Sequence, residues 1–132
     1  MANEITISVN VSVLNGALND SFHSSGQYNQ TTAVEHPDEV TAVTTGTGTQ
    51  MPIGAVAGGS EGRLSLQNMD PTNYVQLGIV VSAAFQPVIR LPPGPAAGVG
   101  GAPQTLDMEP GVTYWLLANT ASCLVKMLLL QK

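Results

Sequence analysis

From Ile5 to Val13 every odd position is apolar (Ile5, Ile7, Val9, Val11, Val13), and Thr6, Ser8, Asn10 and Ser12 fill the even ones. A strict period of two over nine residues predicts a strand with one dry face. Asn15-Gly16 follows, a dipeptide suited to the positive φ angles of a type I′ turn, so 17–22 is expected to return as the antiparallel partner. His23-Ser24-Ser25-Gly26 reads as a break, and 27–34 as a weaker, polar strand. Glu35, His36, Pro37, Asp38 and Glu39 form a charged loop in this reading, after which Thr-rich alternation over 40–45 predicts a strand wet on one face.

The middle of the chain is organised around 63–78. Leu64 and Leu66 alternate with Ser65 and Gln67, and Tyr74, Val75 and Leu77 bracket Gln76. Between these arms lies Asn68-Met69-Asp70-Pro71-Thr72-Asn73. Proline fixes its own φ, and the Asp70 carboxylate can accept backbone N–H groups two residues on, so the stretch predicts two strands joined as a hairpin. Pro87, within the apolar run 85–91, cannot donate to a ladder and places that strand at an edge or beside a bulge. The segment 92–103 has four prolines, four glycines and no charge. It is predicted to be irregular, a loop or an arm laid on a neighbouring subunit. The last strand, 122–130, is apolar on nearly both faces and is expected at the centre of a sheet or against another subunit. No stretch of ten residues keeps a helical period. Eight or nine short strands with Gly and Pro turns predict an all-β fold, an antiparallel two-sheet β-sandwich of jelly-roll type, formed as a single domain over 1–132.

Composition narrows the function. Of 132 residues 43% are hydrophobic and only 10% charged, so Ser, Thr, Asn, Gln and Gly must cover much of the surface, as in chains that work packed against other protein. A net charge of −5 argues against direct nucleic-acid binding, which scales with the phosphates that basic side chains neutralise. Cys123 is alone, which rules out an internal disulfide and a multi-thiol zinc site. The beginning Met-Ala-Asn-Glu-Ile lacks the pattern of a signal peptide, and no run approaches the ~18 apolar residues of a membrane span, so synthesis and residence in a cytosol-like compartment are expected. Candidate chemistry is sparse. Glu35, His36, Asp38 and Glu39 match neither a calcium loop nor a zinc motif. No nucleophile elbow is present, and the glycines of 94–101 lack the Lys-Ser/Thr of a phosphate loop. The reading is nonenzymatic, with no cofactor and no metal. Trp115 and Tyr114 alone are a thin basis for a sugar-stacking platform.

Taken in order, Met-Ala-Asn-Glu-Ile-Thr-Ile-Ser-Val at the start, Asn15-Gly16, the block from Asn68 to Gly78 (Asn-Met-Asp-Pro-Thr-Asn-Tyr-Val-Gln-Leu-Gly), Phe85-Gln-Pro-Val-Ile-Arg-Leu91 and the closing run from Tyr114 resemble a family of small virion structural proteins of tailed bacteriophages. The similarity covers most of the chain. It departs from the family pattern at 92–103 and in the unusually apolar C-terminal strand. The resemblance implies a capsid decoration or cement protein on the outer face of the shell, bound to the major capsid protein and to itself as a homotrimer, located in the virion after synthesis in the host cytoplasm. Its contact residues are then expected among Pro92, Pro93, Pro95, Val99 and Pro103 of the loop and Leu124, Met127, Leu128 and Leu130 of the last strand. The alternatives are a tail, head-completion or fibre-associated component, or a receptor- or glycan-binding module.

Overall fold

Strict alternation at the N-terminus produces β1 (Ile5–Asn15), which pairs antiparallel with β2 (Leu18–Tyr28) from Ile5↔Tyr28 to Asn15↔Leu18. The structure is a computed structural model that describes residues 5–15, 18–28 and 35–131. The expected hairpin is present, although Gly16 of its turn lies outside the described residues. Its return strand is longer than expected. His23, Ser24, Ser25 and Gly26 pair with Asn10, Val9, Ser8 and Ile7, so an uninterrupted ladder overrides the local turn tendency of the serines and glycine. Of the weak strand expected over 27–34, residues 29–34 lie outside the described residues. The chain divides into two units, Met1–Thr32 and Ala33–Lys132. β1 and β2 form a two-stranded sheet by themselves, and the sandwich expected over 1–132 is found in the second unit.

The second unit contains β3 (Glu35–Ala42), β4 (Thr49–Gln50), β5 (Glu61–Asn68), β6 (Val75–Val81), β7 (Ala84–Leu91), β8 (Gln104–Asp107), β9 (Tyr114–Ala118) and β10 (Cys123–Gln131). They make two four-stranded antiparallel sheets, a first sheet ordered β3-β10-β5-β8 and a second ordered β4-β9-β6-β7. The fold is thus an all-β, two-sheet antiparallel sandwich. Its pairings are nested: β3 with β10, β4 with β9, β5 with β8 and β6 with β7. Only β6 and β7 are consecutive partners, joined by the tight turn Ser82-Ala83. Every other connection passes from one sheet to the other, like a long double ribbon rolled up on itself.

That topology corrects the expected hairpin over 63–78. β5 and β6 lie in opposite sheets, and 69–74 is an arch between them rather than a hairpin loop. The expected charged loop at Glu35–Glu39 is also strand, because β10 runs on to Leu130 and pairs with β3 from Cys123↔Ala42 to Leu130↔Glu35. Pro37 is accommodated because β3 is an edge. Pro87 sits as expected on an edge strand, opposite Gly78, where the register shifts. A Cβ on Gly78 would stand 2.2 Å from the Gln86 carbonyl oxygen, so only glycine fits beside that irregularity.

Alternation fills the space between the sheets. Leu64 and Leu66 of β5, Cys123, Val125, Met127 and Leu129 of β10, and Val40 and Ala42 of β3 meet Val75 and Leu77 of β6, Leu91 of β7, and Tyr114, Leu116 and Ala118 of β9. Each fully buried Leu or Val stabilises the fold by roughly 1.5–3 kcal/mol of transfer free energy. β10 is central, as its apolarity predicts, and its alternate residues Leu124 and Lys126 face outward and are exposed.

Candidate functional site

Asn68 closes the inner face of β5 with a fully buried side chain. Its Nδ2 donates to the carbonyls of Asn73 (2.7 Å) and Leu91 (3.4 Å), and its Oδ1 accepts from the Asp70 N–H at 3.0 Å. Burial of the amide is therefore matched by partners on the arch and on β7. One residue pair on, Asp70 Oδ1 accepts from the backbone N–H of Thr72 (2.8 Å) and Asn73 (2.6 Å) and from the Asn73 side-chain amide (3.2 Å). The Asn73 and Thr72 N–H groups outweigh the opposing effect of burial and hold the Asp70 carboxyl below the usual carboxylate range. The turn chemistry read from Asp70-Pro71 is present, in the service of an arch.

This arch anchors the Pro/Gly segment. Gly94 N–H donates to the Asp70 carbonyl (2.8 Å), Gly101 N–H to the Asn68 carbonyl (2.7 Å), and Gln67 Nε2 to the Gly101 carbonyl at 3.1 Å. A Cβ on Gly94 would lie 1.8 Å from the Val99 carbonyl oxygen, and one on Gly101 2.2 Å from that of Pro92. The expected arm is thus a closed loop whose two ends dock on their own chain. Between them Ala96 and Val99 form a small bridge, and the tip from Pro95 to Val99 is exposed, Val99 by 51%.

The loop tip leans over the outer face of the first sheet. Ala97 and Gly98, Met69 and Pro71 of the arch, and Leu124 of β10 enclose a cleft of about 410 Å³. A shallower groove of about 210 Å³ lies beside it, between Pro103, Gln67 and Leu128. Lys126 borders both, so they form one continuous surface. Of the expected contact residues, Leu124 (41% exposed), Pro95, Val99 and Pro103 are exposed, while Pro92, Pro93, Leu128 and Leu130 are half-buried. Met127 is the correction: it points into the core at 5% exposure, because odd positions of β10 face inward. Charge on this face is largely paired. Lys126 Nζ lies 3.9 Å from a Glu39 carboxylate oxygen, and Arg63 Nη1 donates to Asp107 Oδ1 at 2.7 Å.

Glu61 is the buried acid that sequence reasoning missed. At 4% exposure it lines a cavity of about 330 Å³ with Met51, Met108 and Tyr114. Its Oε2 accepts the N–H of Gly59 (2.7 Å) and of Gly111 (3.2 Å), tying together two loops distant in sequence. Burial pushes this carboxyl up, but N–H groups of its own backbone, Gly111 and Gly59 together bring it below the ordinary range. Nothing in the sequence around Gly59 or Gly111 announces a shared acceptor. Cys123 is 1% exposed, and burial followed by the charge of Asp70 pushes its thiol up to about 11. Among the described residues no group of three His, Cys, Asp or Glu side chains gathers as a metal-ligand set.

No protein-family model, no curated protein and no solved structure matches this chain.

Proposed function

We propose that this chain is a virion structural protein of a tailed bacteriophage, a decoration or cement protein that binds the major capsid protein on the outer face of the shell and reinforces it. The observation that carries the reading is the continuous outer face of the first sheet, where the Pro/Gly loop tip and Leu124 meet around two depressions whose nearby charges are mostly paired. A surface of this kind suits docking onto protein, because it offers apolar contact with little desolvation of charge. The nested strand pairing supports reading the sandwich as a jelly roll, an architecture recurrent in viral capsid and lectin domains. Between those two, Tyr114 belongs to the core and Trp115 is half-buried, which disfavours a sugar platform on β9. The role is nonenzymatic, and copies associate on the virion surface as homotrimers.

Adding purified protein to shells that lack it tests the proposal. The chain should stay on washed shells, and Leu124→Lys should reduce retention while the thermal transition reported by Trp115 fluorescence stays in place. Retention of the variant equal to the parent would remove this face from the interface, and failure of the parent chain to bind any shell would contradict the reading as a whole.

A further inference from the structure

The cavity around Glu61 has walls of Met51, Ile53, Met108, Val112 and Tyr114, and among the described residues that line it there is no Lys, Arg or His. A carboxylate as deeply buried as that of Glu61 is ordinarily paired with a cation. Burial here works against the charge, and the N–H groups of Glu61 itself, Gly111 and Gly59 overcome it, so the group is ionised at neutral pH. The donors are not shared evenly between its oxygens. Gly59 and Gly111 both donate to Oε2, at 2.7 and 3.2 Å, and Oε1 takes part in neither bond.

We propose that this cavity binds a primary alkylammonium group, with the ammonium on Glu61 Oε1 and the alkyl stem against Met51, Ile53, Met108 and Val112. Three features select that class. A hard metal ion such as calcium takes ~6–8 oxygen ligands, whereas Glu61 is the one carboxylate among the described residues lining the cavity, and the other walls are mainly apolar. A guanidinium matches a carboxylate best by pairing with both oxygens, and Oε2 already accepts two N–H groups. An ammonium is a compact charge that needs one oxygen, and the flexible thioethers of Met51 and Met108 can adapt to its stem. The volume of about 330 Å³ lies at the low end of the ~300–1,000 Å³ found for small-molecule sites, which suits a ligand of few atoms. The inference does not rest on the capsid reading, since it concerns the free protein in solution. A free amine and a lysine side chain of another protein both carry this group, and the test separates them.

The test is a titration of the isotope-labelled full-length chain, followed through the amide NMR signals of Gly59 and Gly111. n-Butylammonium chloride should shift both signals saturably, with a dissociation constant in the millimolar range, as so small a ligand allows. Sodium chloride at equal concentration controls for the general attraction of cations to a chain of net charge −5, and it should not reproduce the shifts; nor should n-butanol. n-Butylguanidinium should bind more weakly than the amine. Glu61→Gln should weaken amine binding at least about tenfold, the loss of one charge-assisted hydrogen bond. Because that variant also loosens two loops, Val112→Phe provides a second test: it fills the cavity, keeps the carboxylate and should abolish the shifts. The Trp115 fluorescence transition reports whether the unit remains folded in each variant. Nα-acetyl-lysine methylamide reads the source. Its binding alongside n-butylammonium opens the cavity to a protein lysine, binding of n-butylammonium alone restricts it to free amines, and both outcomes support the inference. It would be overturned by the absence of a saturable shift, by shifts that sodium chloride or n-butanol reproduces, or by guanidinium binding as tight as that of the amine. Unchanged amine binding in folded Glu61→Gln or Val112→Phe would overturn it as well.

Discussion

Asp70 shows how one short side chain organises the arch between the sheets. It satisfies three donors within a span of three residues, so Asp70→Ala should cost about 0.5–2 kcal/mol, by analogy with the loss of a helix cap. Thermal unfolding measures this, and attachment to shells should survive, because the carboxylate is occupied internally. Ala83 presents the opposite case. It and Ser82 hold φ at 64° and 51° in the β6–β7 turn, a left-handed conformation that costs a non-glycine residue energy. Ala83→Gly should therefore raise stability by about 0.5–1 kcal/mol, the relief of strain less the extra entropy of the unfolded chain. A lower melting temperature would show that the alanine side chain makes a contact worth more than the strain. Glu61 and Asp70 also set a direction for acid stability. Both carboxyls are held below their ordinary range in the folded chain, so the unfolded chain takes up protons first as pH falls. Their stabilisation is present at neutral pH and is lost through and below the usual carboxylate range. The melting temperature should fall between neutral pH and about pH 3, and Glu61→Gln should flatten that fall while lowering stability at pH 7.

At the scale of elements, alternation was readable and partnership was not. β1 and β5 were legible because each keeps a period of two, β10 because a run apolar on nearly both faces suits the centre of a sheet, and the place of β7 at an edge followed from Pro87 alone. The hairpin expected over 63–78 failed for a physical reason. Leu64, Leu66, Val75 and Leu77 require an inner face, and either sheet of a sandwich supplies one. The choice was made by ladders with β10, β8, β9 and β7, contacts distant in sequence that leave no local trace. The same holds for Glu35–Glu39, whose charge suggested a loop until β10 supplied a partner. For the candidate site, the loop's composition pointed to irregular backbone, and the apolarity of the last strand to the centre of a sheet or to another subunit. That these two meet around Lys126 depends on the arch, and so was invisible. The loop's docking also sharpens its test. Gly94→Ala would drive a Cβ into the Val99 carbonyl, so it should lower the melting temperature by the equivalent of about 1–3 kcal/mol, as overpacking does. An unchanged melting temperature would mean that the loop yields freely and has no part in shaping the cleft.

For the whole molecule, the nested sandwich of the second unit has an outer face whose charges are largely paired, and the β1–β2 ribbon belongs to a separate unit. If the chain coats the shell through this face, Leu124→Lys should lower retention on shells with the second unit still folded. The central claim is that this protein coats the shell, and quantitative mass spectrometry of purified virions measures that directly. The account predicts a copy number comparable to that of the major capsid protein. A handful of copies per particle would move the chain to a tail or vertex, and its absence from the particle would contradict the account.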